Sequence, residues 1–428
     1  MSEPAQEAFA LRDGALHCED ADLAGIAARV GTPVYVYSRR AILEAYGRYV
    51  RALGSQPSMV CYSVKANSNL AVLQMLAQAG SGFDIVSGGE LARVLAAGAP
   101  PRRVVFSGVG KTEAEMRAAL QCGIACFNVE SEAELIALDR VARAMGRRAP
   151  VSLRINPDVD PGTHPYISTG MRLNKFGIDV PRAEELYGRA ADMAGIELAG
   201  VDMHIGSQVT TVAPFLDAAQ RLLDLVDRLC ARGLKLRHID VGGGLGIAYR
   251  SDAPAPGIEE FLGALLDCLA RRGHADKTLI VEPGRSIVGN AGVLLTRVLY
   301  LKESPEKDFA IVDAAMNDLL RPALYDAWMD VVAVVPHSGA RRTYDVVGPV
   351  CESADWLGRG RELALREGDL LAVRGAGAYG MSMASNYNSR VRPAEVVVDG
   401  GRVHLVRRRE ATEELFASEA LIAGAGGA

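Results

Sequence analysis

A lysine stands at position 65 in the run Ser63-Val64-Lys65-Ala66-Asn67. It closes a stretch whose Met59, Val60, Tyr62 and Val64 have the β-branched and aromatic content of a strand, and Asn67-Ser68-Asn69 follows as a stop and a helix cap. Two readings are open. A lysine leaving an edge strand snorkels to solvent and carries no chemistry. A lysine held among apolar neighbours has a lowered pKa, and its neutral amine condenses with an aldehyde to a Schiff base.

The residues that decide between them lie far along the chain. Val241-Gly242-Gly243-Gly244-Leu245-Gly246 follows a strand, and its glycines let bare backbone N–H groups approach an anion such as a phosphate, although glycine runs also serve plain tight turns. The next strand ends in Glu282-Pro283-Gly284-Arg285. Glu282 is either an exposed strand-end charge or the acid that keeps a pyridine nitrogen protonated. His204-Ile205-Gly206-Ser207-Gln208 ends another strand. His204 is either a hydrogen-bonded core histidine or a neutral ring that stacks on a flat cofactor, with Ser207 reaching its phosphate. An amine, a phosphate loop, a carboxylate and a stacking ring at one end of one fold are together the requirements of pyridoxal 5'-phosphate.

The elements that must position these residues alternate from Val34 onward. Val34–Tyr37 reads as strand and Ala41 to Leu53 as helix, Met59 to Val64 as strand and Leu70 to Ala79 as helix, and the grammar repeats to Gly284. A long Pro- and Gly-rich loop, of a kind that is usually functional, separates the strand Val151 to Ile155 from a helix over Glu184 to Met193. Eight or nine β/α units predict a (β/α)8 TIM-type barrel over 34–285, with the polar residues after the strands, where such barrels keep their sites. After Arg285 the runs are strands with turns between them, including an Asp399-Gly400-Gly401 hairpin turn, and predict an all-β domain of 286–428. Residues 1–33 show little helix periodicity and are assigned to that domain. A short helix is expected over Glu413 to Ala420, then a frayed Gly/Ala tail. The block 101–150 shows no readable chemistry.

The chain has 428 residues, enough for two domains, and its 49% hydrophobic content fills a core. A net charge of −5 with dispersed basic residues argues against a nucleic-acid partner; Arg407-Arg408-Arg409 reads as a solvated strand end. A polar, acidic N-terminus and the lack of a membrane-length apolar run predict a cytoplasmic protein with no membrane partner. Seven cysteines without metal-ligand spacing predict thiols, and no metal centre is expected.

Tyr62–Asn67, His204–Gln208, Gly242–Gly244, Glu282–Arg285 and Cys351-Glu352-Ser353, in this order, resemble the pyridoxal-phosphate decarboxylases of the alanine-racemase-like fold. The run from Met316 to Tyr325 resembles their diaminopimelate branch rather than the ornithine and arginine decarboxylases, and the resemblance spans roughly Val34 to Arg392. It implies Lys65 as the Schiff-base lysine, His204 as the stacking ring and Glu282 at the pyridine nitrogen. Ser207, Gly244, Gly284, the Arg285 backbone and the Tyr379 hydroxyl are implied at the phosphate. For the substrate it implies Arg285, Arg321 and Tyr325 at a distal carboxylate and Glu352 at a distal ammonium, with Tyr379 also among the substrate-binding residues. Cys351, otherwise readable as a small buried hydrophobe, matches the family's proton donor. The implied reaction is decarboxylation of meso-2,6-diaminopimelate to L-lysine by a homodimer with shared active sites. A decarboxylase of ornithine or arginine, and a non-catalytic pyridoxal-phosphate-binding regulator, remain as alternatives.

Overall fold

The computed structural model describes residues 8–167, 169–171, 174–250 and 252–422. It divides into two compact units: Arg39–Ala291 with Gly377–Ser382, and Ala8–Ser38 with Gly292–Ala376 and residues 383–422.

The first unit is the barrel. Among the described residues its parallel strands run Ser58–Ser63, Gly82–Ile85, Val104–Phe106, Cys126–Val129, Ala149–Asn156, Ile196–Met203, His238–Asp240 and Thr278–Val281. The last pairs with the first, Leu279 opposite Ser58 and Val281 opposite Val60, so the sheet closes and has no edge. Helices follow the strands, and polar caps start them just past the strand ends: Asn69 accepts from the Ala71 N–H, Ser87 from Glu90 and Ser131 from Glu134. The interior is filled rather than hollow, with Cys61, Val105, Cys126, Ala199 and Ile280 buried together. Gly200 is small of necessity, because a Cβ there would lie 2.3 Å from the His238 ring.

The strand expected at Val34 forms, as Val34–Ser38, but it is not in the barrel. It lies in the second unit, antiparallel to Gly292–Lys302 and parallel to Ala394–Asp399. All five of its residues are buried, so neither face shows the alternation that marks a half-exposed sheet, and the sequence matches that of a barrel strand. The barrel's first helix, Arg39–Leu53, therefore precedes its first strand.

The second unit is built on the sheet order Trp356–Leu363, Arg342–Val347, Asp308–Val312, Gly292–Lys302, Val34–Ser38, Ala394–Asp399, Arg402–Arg407, with Leu370–Val373 also on Gly292–Lys302. The hairpin turn at Asp399-Gly400-Gly401 is present, with Gly400 at φ 59°. Residues expected to lack a helix hold one, Leu23–Val30, whose N-cap Asp22 accepts from the Ala24 and Gly25 N–H groups. The helix expected over 413–420 is only a 3-10 turn, Thr412–Leu415, and the tail expected beyond it lies largely outside the described residues.

Candidate active site

Lys65 sits in a single 3-10 turn, Val64–Ala66, directly after the first barrel strand. Its Nζ donates to Asp84 Oδ2 at 2.6 Å and to Ser63 Oγ at 3.1 Å. Burial acts to lower its pKa, but the Asp84 carboxylate, with Tyr379 and Glu282, outweighs burial and holds it above the usual lysine range. The expected depressed pKa is thus not found: the neighbours are not apolar, and in this state the amine is an ammonium clamped to Asp84. The snorkelling alternative also fails, because the strand is paired on both sides.

The loops after the neighbouring strands converge through backbone contacts that only glycine permits. A Cβ on Gly243 would lie 2.0 Å from the Glu282 carbonyl oxygen, and one on Gly244 2.1 Å from that of Gly206. Gly284 abuts Ser63 and Ala66, where a Cβ would come within 2.9 Å and 3.0 Å of their Cβ atoms. The Arg285 guanidinium donates to Ser207 Oγ at 3.0 Å and to the Tyr249 hydroxyl at 2.6 Å, and lies 4.7 Å from the Tyr379 ring centroid. Tyr379 is held at φ 54°, its N–H donating to the Ala66 carbonyl at 2.8 Å. All eight residues expected around a cofactor, Lys65, His204, Ser207, Gly244, Glu282, Gly284, Arg285 and Tyr379, lie in this unit, at or just beyond the strand ends and in the 377–382 segment.

Glu282 is buried beside two further carboxylates, Asp202 and Asp240, whose oxygens lie within 4.8 Å of one another and of its own. Burial first, then Asp240, Asp84 and Asp202, push Glu282 well above the usual carboxylate range. Asp240 is pushed up to about 7 by burial, despite the Gly242 N–H that donates to it. A proton therefore stays in this group at neutral pH. His204 is the reverse case. Burial, then the Arg154 and Lys65 cations, hold it well below the ordinary histidine range, and the Gly243 N–H donates to its Nδ1 at 3.1 Å, so the neutral ring keeps its proton on Nε2.

The remaining expected residues belong to the second unit. Arg321 is buried at the start of the helix Arg321–Tyr325, which also carries Tyr325. Cys351 is exposed, as are Glu352 and Ser353, which removes the buried-hydrophobe reading of that thiol. The Cys351 N–H donates to Asn388 Oδ1 at 3.1 Å.

Several site residues were passed over in sequence. Asp84, Asn128, Asp202 and Asp240 are polar residues inside apolar strand runs, and a polar residue at the inward position of a buried strand was the signal available. The block 101–150 does carry part of the site: Asn128 Nδ2 donates to Glu282 Oε1 at 3.4 Å, and Glu130 pairs with buried Arg154 at 3.0 Å.

A family model described as "Pyridoxal-dependent decarboxylase, pyridoxal binding domain" matches residues 39–289. The diaminopimelate decarboxylase of Pseudomonas aeruginosa is 60% identical over 416 residues, covering 97% of this chain and 99% of that protein. That of Vibrio cholerae is 57% identical over 410 residues, covering 96% and 98%. Among solved structures, the Helicobacter pylori diaminopimelate decarboxylase complexed with L-lysine has TM-score 0.89 at 42% identity, covering 93% of this chain and 99% of that one. The M. jannaschii enzyme in co-complex with L-lysine has TM-score 0.94 at 37% identity, covering 98% and 99%.

Proposed function

The chain belongs to the diaminopimelate decarboxylases, within the pyridoxal-dependent decarboxylases, and from that premise we infer that it removes one carboxyl group of meso-2,6-diaminopimelate as carbon dioxide, leaving L-lysine. It is a carboxy-lyase of lysine biosynthesis and uses pyridoxal 5'-phosphate.

The residues present fit that cofactor. The observation that carries the reading is the single cluster formed by a buried-carboxylate-clamped lysine, a neutral histidine, a protonated carboxyl group and a glycine cradle that any Cβ would fill. Lys65 would hold the group covalently, His204 its ring face and Glu282 its ring nitrogen, with Ser207, Gly244, Gly284, Arg285 and Tyr379 around its phosphate. When bound, pyridoxal phosphate supplies a protonated ring that accepts the electron pair left by the departing carboxylate.

The chain's own residues do the rest. Lys65 Nζ donates to Asp84 Oδ2 at 2.6 Å, so the amine becomes reactive only as a proton leaves Nζ. Glu282, crowded by Asp202 and Asp240, holds a proton that it would give to the ring nitrogen, its carboxylate then accepting the N–H bond that keeps the ring protonated. Arg285, Arg321 and Tyr325 would bind the distal carboxylate and Glu352 the distal ammonium, which fixes the scissile bond's orientation. The exposed Cys351 Sγ would return a proton to the substrate carbon that loses its carboxylate. A non-catalytic regulator would need neither this thiol nor the distal arginines.

The same reading makes the protein a homodimer in which Lys65 of one chain works with Cys351 and Glu352 of the other. Exposure of Cys351, Glu352 and Ser353 in the single chain supports it. A cytoplasmic location goes with it, supported by seven free thiols. Among the described residues no helix is long and apolar enough to cross a membrane. The test is lysine formation from meso-diaminopimelate by the purified protein, with and without added pyridoxal phosphate. Formation that depends on the cofactor is expected; none in its presence would overturn the reading.

A further inference from the structure

Two residues of the barrel-end cluster, Gln208 and Tyr249, have no part in the chemistry above. Gln208 is a non-glycine residue in the left-handed region, at φ 62°. From there its side-chain amide grips the loop after the strand His238–Asp240 twice: Nε2 donates to the Ile247 carbonyl at 2.7 Å, and the Ile247 N–H donates to Oε1 at 3.2 Å. The two backbones are joined as well, the Val209 N–H donating to the Gly244 carbonyl at 3.0 Å and the Gly246 N–H to the Val209 carbonyl at 2.9 Å. The loop is thereby pinned just before Tyr249, a half-buried residue whose hydroxyl accepts from Arg285 Nη1 at 2.6 Å. All of these residues belong to the first unit.

Arg285 is buried, and its Nε has no hydrogen-bond partner among the described residues. The two terminal nitrogens therefore carry the hydrogen bonds that set the plane of the guanidinium, one to Ser207 and one to Tyr249. Ser207 is assigned to the cofactor's phosphate, so Tyr249 is the contact from outside the cofactor's own set. A long side chain presents its planar fork to a carboxylate only when one rotamer is held, and a stiff ring on a pinned loop holds it before a ligand arrives. We propose that Tyr249 is a positioning residue for substrate selection: its hydroxyl fixes the Arg285 guanidinium in the orientation that receives the distal carboxylate, and so favours ligands that carry a carboxylate there. This rests on the assignment of Arg285 to the distal carboxylate.

The experiment measures binding by calorimetry on the pyridoxal-phosphate-loaded protein, with L-lysine and with 1,5-diaminopentane, which is lysine without its carboxylate. Tyr249→Phe keeps the ring and the fold, which an unchanged melting temperature verifies. It should weaken L-lysine about tenfold, the scale of a lost hydrogen bond to a charged group, and leave 1,5-diaminopentane unchanged. Tyr249→Leu also lacks the hydroxyl, carries the same expectation, and stands in should the first variant melt early. Arg285→Gln should show the same selectivity for the carboxylate, and adding Tyr249→Phe to it should weaken L-lysine no further. If Arg285→Gln weakens L-lysine selectively and Tyr249→Phe does not, the role of Tyr249 is overturned. Equal losses for both ligands in Tyr249→Phe also overturn it, by making the hydroxyl merely structural. If Arg285→Gln leaves L-lysine unchanged, or weakens both ligands alike, the assignment of Arg285 falls, and the proposal with it.

Discussion

Lys65→Ala should abolish both turnover and the visible absorbance of the cofactor-loaded protein, since among the described residues no other lysine meets the geometry. Lys111 is buried but fully engaged by Glu134 and two carbonyls, and Lys175 lies over the Phe176 ring. Borohydride reduction followed by peptide mapping checks this: the pyridoxyl group is expected on Lys65, and on Lys175 it would contradict the site. Arg321→Ala should weaken meso-diaminopimelate by about 2–4 kcal/mol in kcat/KM, because it leaves a desolvated carboxylate without its charge-assisted partner. At this scale the sequence was informative where a residue type is rare at its position, as with a lysine ending an apolar run or an arginine after a glycine turn. It was silent on Asp84, Asn128 and Asp240, whose importance comes from neighbours on other strands. The raised Lys65 pKa is illegible in sequence for the same reason, since Asp84 lies 19 residues away in the chain.

Gly244→Ala should cost about tenfold or more in pyridoxal-phosphate affinity, read by absorbance titration, because φ 108° and the Gly206 carbonyl 2.1 Å from a Cβ leave no room without moving the Ser207 loop. At the opposite end of the strands, buried His238 is hydrogen-bonded to Ser152 Oγ at 2.7 Å, and burial, with Arg237, lowers its pKa to about 4. The folded ring stays neutral where the unfolded one, near the ordinary pKa of about 6.5, takes a proton. Its contribution is complete above the unfolded pKa and is lost as pH falls toward about 4, a difference of order 3 kcal/mol. Melting temperature should fall with pH across that window, and His238→Gln should flatten the fall. The strand-then-helix grammar was legible because each unit pairs a buried run with a capped amphipathic helix. Membership of Val34–Ser38 was not, because full burial looks alike in a barrel and in the middle of a second sheet.

For the whole molecule, shared sites predict complementation. Lys65→Ala and Cys351→Ala, each nearly inactive, should regain about a quarter of normal activity when refolded together, since about half the dimers are mixed and each mixed dimer has one intact site. Activity that stays at the level of the separate mutants, with mixed dimers demonstrated, would show that each chain builds its own site. The order of the motifs along the chain foretold two units, whereas pairing between chains leaves no periodicity to read. The central claim is the choice of substrate, and side-by-side kcat/KM values for meso-diaminopimelate, ornithine and arginine on the pyridoxal-phosphate-loaded protein test it most directly. A strong preference for meso-diaminopimelate, with L-lysine and carbon dioxide released in equal amounts, is predicted; equal or better activity on ornithine would contradict it.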